Sequence, residues 1–103
     1  CIVDRDWFAG YDILATAAVG VTAFEHGDEP ESIDGTDIEP LRGWVLTQPY
    51  NFTGHPAASI PAGFVDDLPV GLQLAGQRHA DDVVIAASAA FERRRPWHDA
   101  YPN

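Results

Sequence analysis

Lysine and methionine are both missing from this 103-residue chain, and cysteine occurs once, as Cys1. A lone cysteine excludes an internal disulfide framework, and four scattered histidines without a second cysteine supply no zinc spacing. The pattern implies neither a metal nor a cofactor. Long apolar runs are also missing. The longest, residues 13–24, is about half of the ~20 residues a membrane span needs and has no basic flank at its start. Neither a transmembrane helix nor a signal peptide is expected, and a reducing cytoplasm is the compartment that fits. Positive charge is scarce. The six basic residues, all arginine (Arg5, Arg42, Arg78, Arg93, Arg94 and Arg95), face 16 Asp plus Glu, for a net charge of -10. Such a surface repels phosphate backbones, which argues against nucleic-acid binding. An acidic, lysine-free composition is also that of a protein kept soluble in high salt, where charge repulsion is screened.

What is present is enough for one packed unit. Hydrophobic residues make up 46% of the chain and aromatic residues 11%, too much apolar content for a disordered chain. A chain of this length buries roughly 65% of its unfolded surface, which allows a single modest core. The start, CIVDRDWF, lacks an initiator Met and reads as a piece of a longer polypeptide. The alternative is Cys1 as a processed N-terminal nucleophile with its own amine as base; it requires a strand-rich sandwich pattern that does not follow.

Along the chain, residues 4–10 resemble the last turns of a helix, and Ile13, Leu14 and Ala15 form a short apolar run that reads as a buried strand. Residues 25–39, EHGDEPESIDGTDIE, collect acidic, Gly and Pro signals and predict a solvated acidic surface loop. Leu41, Trp44, Val45 and Leu46 then recur at near-helical spacing behind Pro40. They predict a helix over residues 40–53, kinked near Pro49 and stopped by Gly54 and Pro56. Residues 57–65 predict a strand whose Pro61 confines it to a sheet edge or a bulge, with a reversal at residues 66–68. Residues 69–76, PVGLQLAG, form the second arm of a β-hairpin. Val70, Leu72 and Leu74 share one face, and Gly71, Gln73 and Ala75 the other. Asp81 or Asp82 caps a final helix to about residue 95, with an apolar stripe of Val83, Val84, Ala87, Ala90 and Phe91. The order is that of an α/β chain with a strand, a β-hairpin and two main helices. So few short strands leave an exposed sheet edge and an uncovered apolar face, through which copies of the chain could pair.

Taken singly, the candidate catalytic residues have ordinary explanations. Ser59 and Ser88 lack a nucleophile-elbow context, and Ser88 lies among alanines, where a small packing residue is expected. His55 stands between Gly54 and Pro56, where a capping or surface role suffices; His79 and His98 read as exposed. The pairs Asp66–Asp67 and Asp81–Asp82 sit in a turn and at a helix start, positions that favour Asp without any glycosidase or hard-metal chemistry. Asn51, if buried, is expected to be hydrogen-bonded to backbone, where it would fix the turn around Thr53 and Gly54.

The ordered combination carries more. Thr47-x-Pro49-x-Asn51-x-Thr53-Gly54-x-Pro56-Ala57-x-Ser59-x-Pro61-x-Gly63 is followed by Leu68-Pro69-Val70-Gly71-Leu72-Gln73, then by Ala90-Phe91-Glu92 and Pro96-Trp97. With the earlier Tyr11-Asp12-Ile13-Leu14, this closely resembles the C-terminal segment of amidase signature enzymes. The resemblance implies that residues 1–103 are the C-terminal portion of one larger mixed-sheet α/β domain. It implies hydrolysis of carboxylic amides by a Ser-Ser-Lys centre, in which a lysine base accepts the serine proton through a second hydroxyl and backbone N–H groups form the oxyanion hole. A chain without lysine cannot hold that centre, so the resemblance makes the preceding part of the polypeptide its essential partner and this segment alone inactive. It also makes Trp44, Thr47, Gln48 and Asn51 the wall of the acyl pocket, with Gln73 a weaker member. The A subunits of aminoacyl-tRNA amidotransferases resemble the segment too, but tend to carry an acidic residue where Trp44 stands, which points to a stand-alone amidase with an aromatic or aliphatic acyl group. A non-catalytic module that binds a partner through the exposed edge or apolar face is the alternative from another class.

Overall fold

In the computed structural model the described residues are 8–40 and 42–100. Ile13–Ala17 (β1), Ala57–Val65 (β4) and Leu68–Gly76 (β5) form one antiparallel sheet in the order β1-β5-β4. Between β1 and β4 come Ser32–Ile33 (β2), Thr36–Asp37 (β3) and the helix Gln48–Thr53 (α1); after β5 comes Asp81–Arg94 (α2), then a short 3-10 turn at His98–Ala100.

The hairpin β4–β5 turns through Asp66 and Asp67, both with positive φ (49° and 61°). That backbone matches the twist of the two strands, and Asp tolerates it better than most residues. β4 is an edge strand, and its register slips between Pro61 and Gly63, where Gly63 has φ 124°. Proline thus lies at an edge and beside a bulge, as its missing N–H demands.

Alternation along β5 sends Leu72 and Leu74 to one face with Ala15, Ala17, Ala58 and Ile60, and Gln73 to the other with Thr16 and Ser59. α2 packs on the first of these. Val84 is 3% exposed, and a Cβ built on Gly76 would stand 2.8 Å from its Cγ2, so glycine is what lets the helix approach the sheet. Ile60 and Leu74 are buried on this face with it, and Phe8, Ala18, Tyr50 and Ala75 complete the buried apolar set among the described residues.

Four expectations are corrected. Residues 25–39 are not all loop: the pair β2–β3 forms a small hairpin through Asp34 and Gly35, both at positive φ (49° and 73°). Helix is confined to Gln48–Thr53 rather than residues 40–53, and Pro49 lies in its first turn, where it starts the helix without a kink. The cause upstream is tertiary: Val45 pairs with Val19, and Gly20 N–H donates to the Trp44 carbonyl at 2.8 Å, which holds the backbone out of helix. α2 begins after Ala80, so Asp81 and Asp82 are its first-turn acids, favoured by the helix dipole, instead of side-chain caps. Its buried stripe centres on Val84, with Ala87 and Phe91 half-buried; Val83 and Ala90 are exposed. Gly54 does end α1, in the left-handed conformation (φ 69°) with its N–H on the Tyr50 carbonyl. Cys1 and most of the expected helix end at residues 4–10 lie outside the described residues.

Candidate functional site

A strap of irregular chain, residues 44–47, crosses the sheet face opposite α2 and leads into α1. It begins where Gly43 turns against Ile38 and Glu39: an added Cβ would come within 2.5 Å of Ile38 Cβ and 2.8 Å of Glu39 N, so the turn closes only around glycine. Gly43 N–H donates to the Glu39 carbonyl at 2.8 Å, and Val45 N–H to that of Arg42 at 3.0 Å. From this turn Trp44 presents its ring edge-to-face to Phe24, with centroids 5.2 Å apart and planes at 79°. Trp44 is half-buried, and its indole Nε1 is a buried donor with no acceptor among the described residues. Buried N–H groups are seldom left so, and an acceptor brought to this point would gain a full hydrogen bond.

Two residues further, the Leu46 carbonyl accepts from Gln73 Nε2 at 3.3 Å, and the same amide nitrogen donates to Thr16 Oγ1 at 3.1 Å. Gln73 is 2% exposed. The strap is therefore pinned to β5 and β1 by one buried side chain. Thr47 takes the position before α1 in helical backbone and makes no side-chain cap hydrogen bond. Thr47 and Gln48 are half-buried.

Of the five residues singled out from the sequence, the structure thus places Trp44 and Thr47 on one strap, Gln48 at the start of the helix it leads into, and Gln73 beneath it. Asn51 is exposed, so the burial on which its expected backbone bond depended is not present; the buried polar residue of α1 is Thr53. Thr53 Oγ1 and His55 Nδ1 are hydrogen-bonded at 2.9 Å, and the His55 ring stacks on Phe8 with centroids 5.4 Å apart. Desolvation by burial, and secondarily the positive charge of Arg78, hold His55 below its ordinary pKa of 6.5, so the neutral ring is favoured. Thr16 and the buried Thr53 were not anticipated. A single polar residue within ILATA was the signal for Thr16, because a polar side chain in a small alternating strand needs a partner across the sheet.

Neither of two surface hollows includes these residues. An open groove of about 430 Å³ between the β4–β5 hairpin and the end of α2 is lined by Pro61, Phe64, Pro69, Arg95, Pro96 and Trp97 among others. A shallow hollow of about 620 Å³ lies along the acidic segment, at Phe24 and residues 27–31. No group of three or more His, Cys, Asp or Glu among the described residues is placed to hold a metal ion.

An antiparallel sheet with a helix on one face and a glutamine-pinned strap on the other defines an α/β protein whose irregular backbone is built around a half-buried aromatic. The family model described as Amidase matches residues 5–85, and the chain belongs to that family. It is 40% identical over 98 residues to the A subunit of glutamyl-tRNA(Gln) amidotransferase from Streptococcus equi subsp. zooepidemicus (strain MGCS10565), covering 92% of this chain and 19% of the relative. It is 38% identical over 95 residues to an acylamidase of Rhodococcus erythropolis, covering 89% and 20%. Among solved structures, a bacterial aryl acylamidase of the amidase signature family superposes with TM-score 0.87 at 42% identity, over 92% of this chain and 20% of that one. The A subunit of glutamyl-tRNA(Gln) amidotransferase from Thermotoga maritima superposes with TM-score 0.74 at 34% identity, over 90% and 20%. The chain thus spans about one fifth of the length of the relatives it matches.

Proposed function

We propose that this chain supplies one wall of the acyl pocket in an amidase that converts carboxylic amides to an acid plus ammonia or an amine. The observation that carries this reading is the half-buried Trp44 on a strap fixed to the sheet, with an indole N–H that lacks an acceptor among the described residues. A rigid aromatic surface suits the body of an apolar acyl group. Thr47 and Gln48 beside it, with Asn51 one turn on, are the polar rim of that wall. The nucleophile, bridging serine and lysine base are contributed by other parts of the polypeptide, since lysine is absent here, and the isolated chain hydrolyses nothing. No helix of the described residues is long and apolar enough to cross a membrane; the single cysteine of the chain is what favours a reducing cytoplasm as the site of the reaction.

The competing reading within the family is the A subunit of an amidotransferase. Trp44 and the higher TM-score of the aryl acylamidase (0.87 against 0.74) favour the stand-alone amidase. Turnover of phenylacetamide and of free glutamine by the full-length polypeptide tests this. Phenylacetamide should be preferred, and Trp44→Ala should lower kcat/KM for it by about tenfold to a hundredfold, the worth of a buried aromatic contact. Hydrolysis confined to glutamine, or no amide turnover at all, would sink the proposal.

A further inference from the structure

From the Gln73 contacts we infer that this residue is a positioning residue of the acyl wall, setting where the strap stands over the sheet and touching no substrate itself. The inference rests on the reading of residues 44–48 as that wall. Gln73 is 2% exposed and its Nε2 donates twice inside the chain, to Thr16 Oγ1 at 3.1 Å and to the Leu46 carbonyl at 3.3 Å. A primary amide nitrogen has two protons to give. Both are spent, so the nitrogen has none for a ligand. The partners lie on β1 and on the strap, while Gln73 itself stands on the central strand β5. It therefore bridges three separate stretches of chain at the one place where the strap must be held at a set height. The other described backbone ties of the strap, Val45 to Val19 and Trp44 to Gly20, secure its beginning. Gln73 secures the end that leads into Thr47 and α1. A carboxylate or a thioether here would fill the same space yet donate nothing, leaving the Leu46 carbonyl and Thr16 Oγ1 without this donor.

The test uses the full-length polypeptide with Gln73→Met, and with Thr16→Val as a milder variant that removes one acceptor only. Amide hydrogen exchange should quicken about tenfold or more at residues 45–48 in Gln73→Met, and less in Thr16→Val, while the β4–β5 pairs keep their protection. In turnover, Gln73→Met should lower kcat/KM for phenylacetamide by about tenfold but leave acetamide, whose acyl group is too short to lean on the wall, within about twofold. A uniform rise in exchange over the sheet, or unchanged exchange in the strap, would overturn the inference, as would equal losses on both amides. If Trp44→Ala leaves the ratio between the two amides unaltered, the wall reading fails. If Trp44→Ala changes that ratio and Gln73→Met does not, the positioning role alone fails. Should Gln73→Met not fold, Thr16→Val decides by the same two measurements.

Discussion

His55 shows how one side chain couples local structure to solvent conditions. Its ring lies between Phe8 and Thr53, and burial together with Arg78 lowers its pKa from 6.5. The folded state then binds a proton less readily than the unfolded chain. Stability from this residue is therefore complete above about pH 6.5 and is lost as the pH falls from there towards the folded pKa. Urea unfolding midpoints should decline over that interval, and His55→Phe should flatten the decline; an equal acid response in the variant would exclude His55 as its source. Arg78→Gln should flatten it less, because the charge is the smaller of the two causes. The sequence marked His55 as a cap or surface residue, since its neighbours Gly54 and Pro56 signal a turn. It held no sign of Phe8, which is distant along the chain and meets the ring only through the fold. Gln73 was legible in part: alternation placed it on the face away from Leu72 and Leu74, but its use of both protons depends on Thr16 and Leu46, which no local pattern links to it.

At the scale of elements, α2 meets β5 tightly at one glycine–valine pair. Gly76 and Val84 leave no room for a methyl group, with 2.8 Å from the ideal Cβ to Val84 Cγ2. Gly76→Ala should cost about 1–3 kcal/mol by overpacking, and Val84→Ala about 2 kcal/mol from lost burial and a cavity. The double variant should be less damaged than the sum of the two, since the new methyl enters the space the valine vacates; strict additivity in thermal unfolding would show that the helix moves instead. The same contrast between local and tertiary causes explains which elements could be read in advance. The β4–β5 hairpin, its Asp66–Asp67 turn and α2 are dictated by alternation, turn residues and an apolar stripe, all short-range signals. The segment before α1 has helical spacing at Leu41, Val45 and Leu46, yet Val19 and Gly20 claim its backbone for pairing. The β2–β3 hairpin was hidden by acidic composition, although Asp34 and Gly35 are turn formers and Ile33 reaches back to within 2.9 Å of an ideal Cβ on Gly20.

Over the whole molecule the net charge of -10 meets few internal counter-charges. The one acid–base contact among the described residues joins His98 and Asp99 at 3.3 Å on the surface, and it is an ion pair only when His98 is protonated. Mutual repulsion of the carboxylates is therefore left to the solvent to screen. Raising salt from about 0.1 M to about 1 M shortens the Debye length from about 10 Å to about 3 Å, and the unfolding temperature of the full-length protein should rise with it. A protein equally stable without added salt would remove the case for salt adaptation. The apolar surface has a similar meaning. Phe52 is 83% exposed, Ile85 68% and Phe64 58%, so large apolar side chains stand in solvent on α1, α2 and β4 alike. The two borders of the sheet are also unlike. Along β4, the absent N–H of Pro61 and the slip at Gly63 break the run of donors and acceptors that an incoming strand would need. β1 has no proline and pairs with β5 in unbroken register from Ile13 to Ala17. The two borders of the sheet thus differ in kind: β1 ends in a regular ladder, while the β4 side works as a selvedge, a border at which the weave is interrupted.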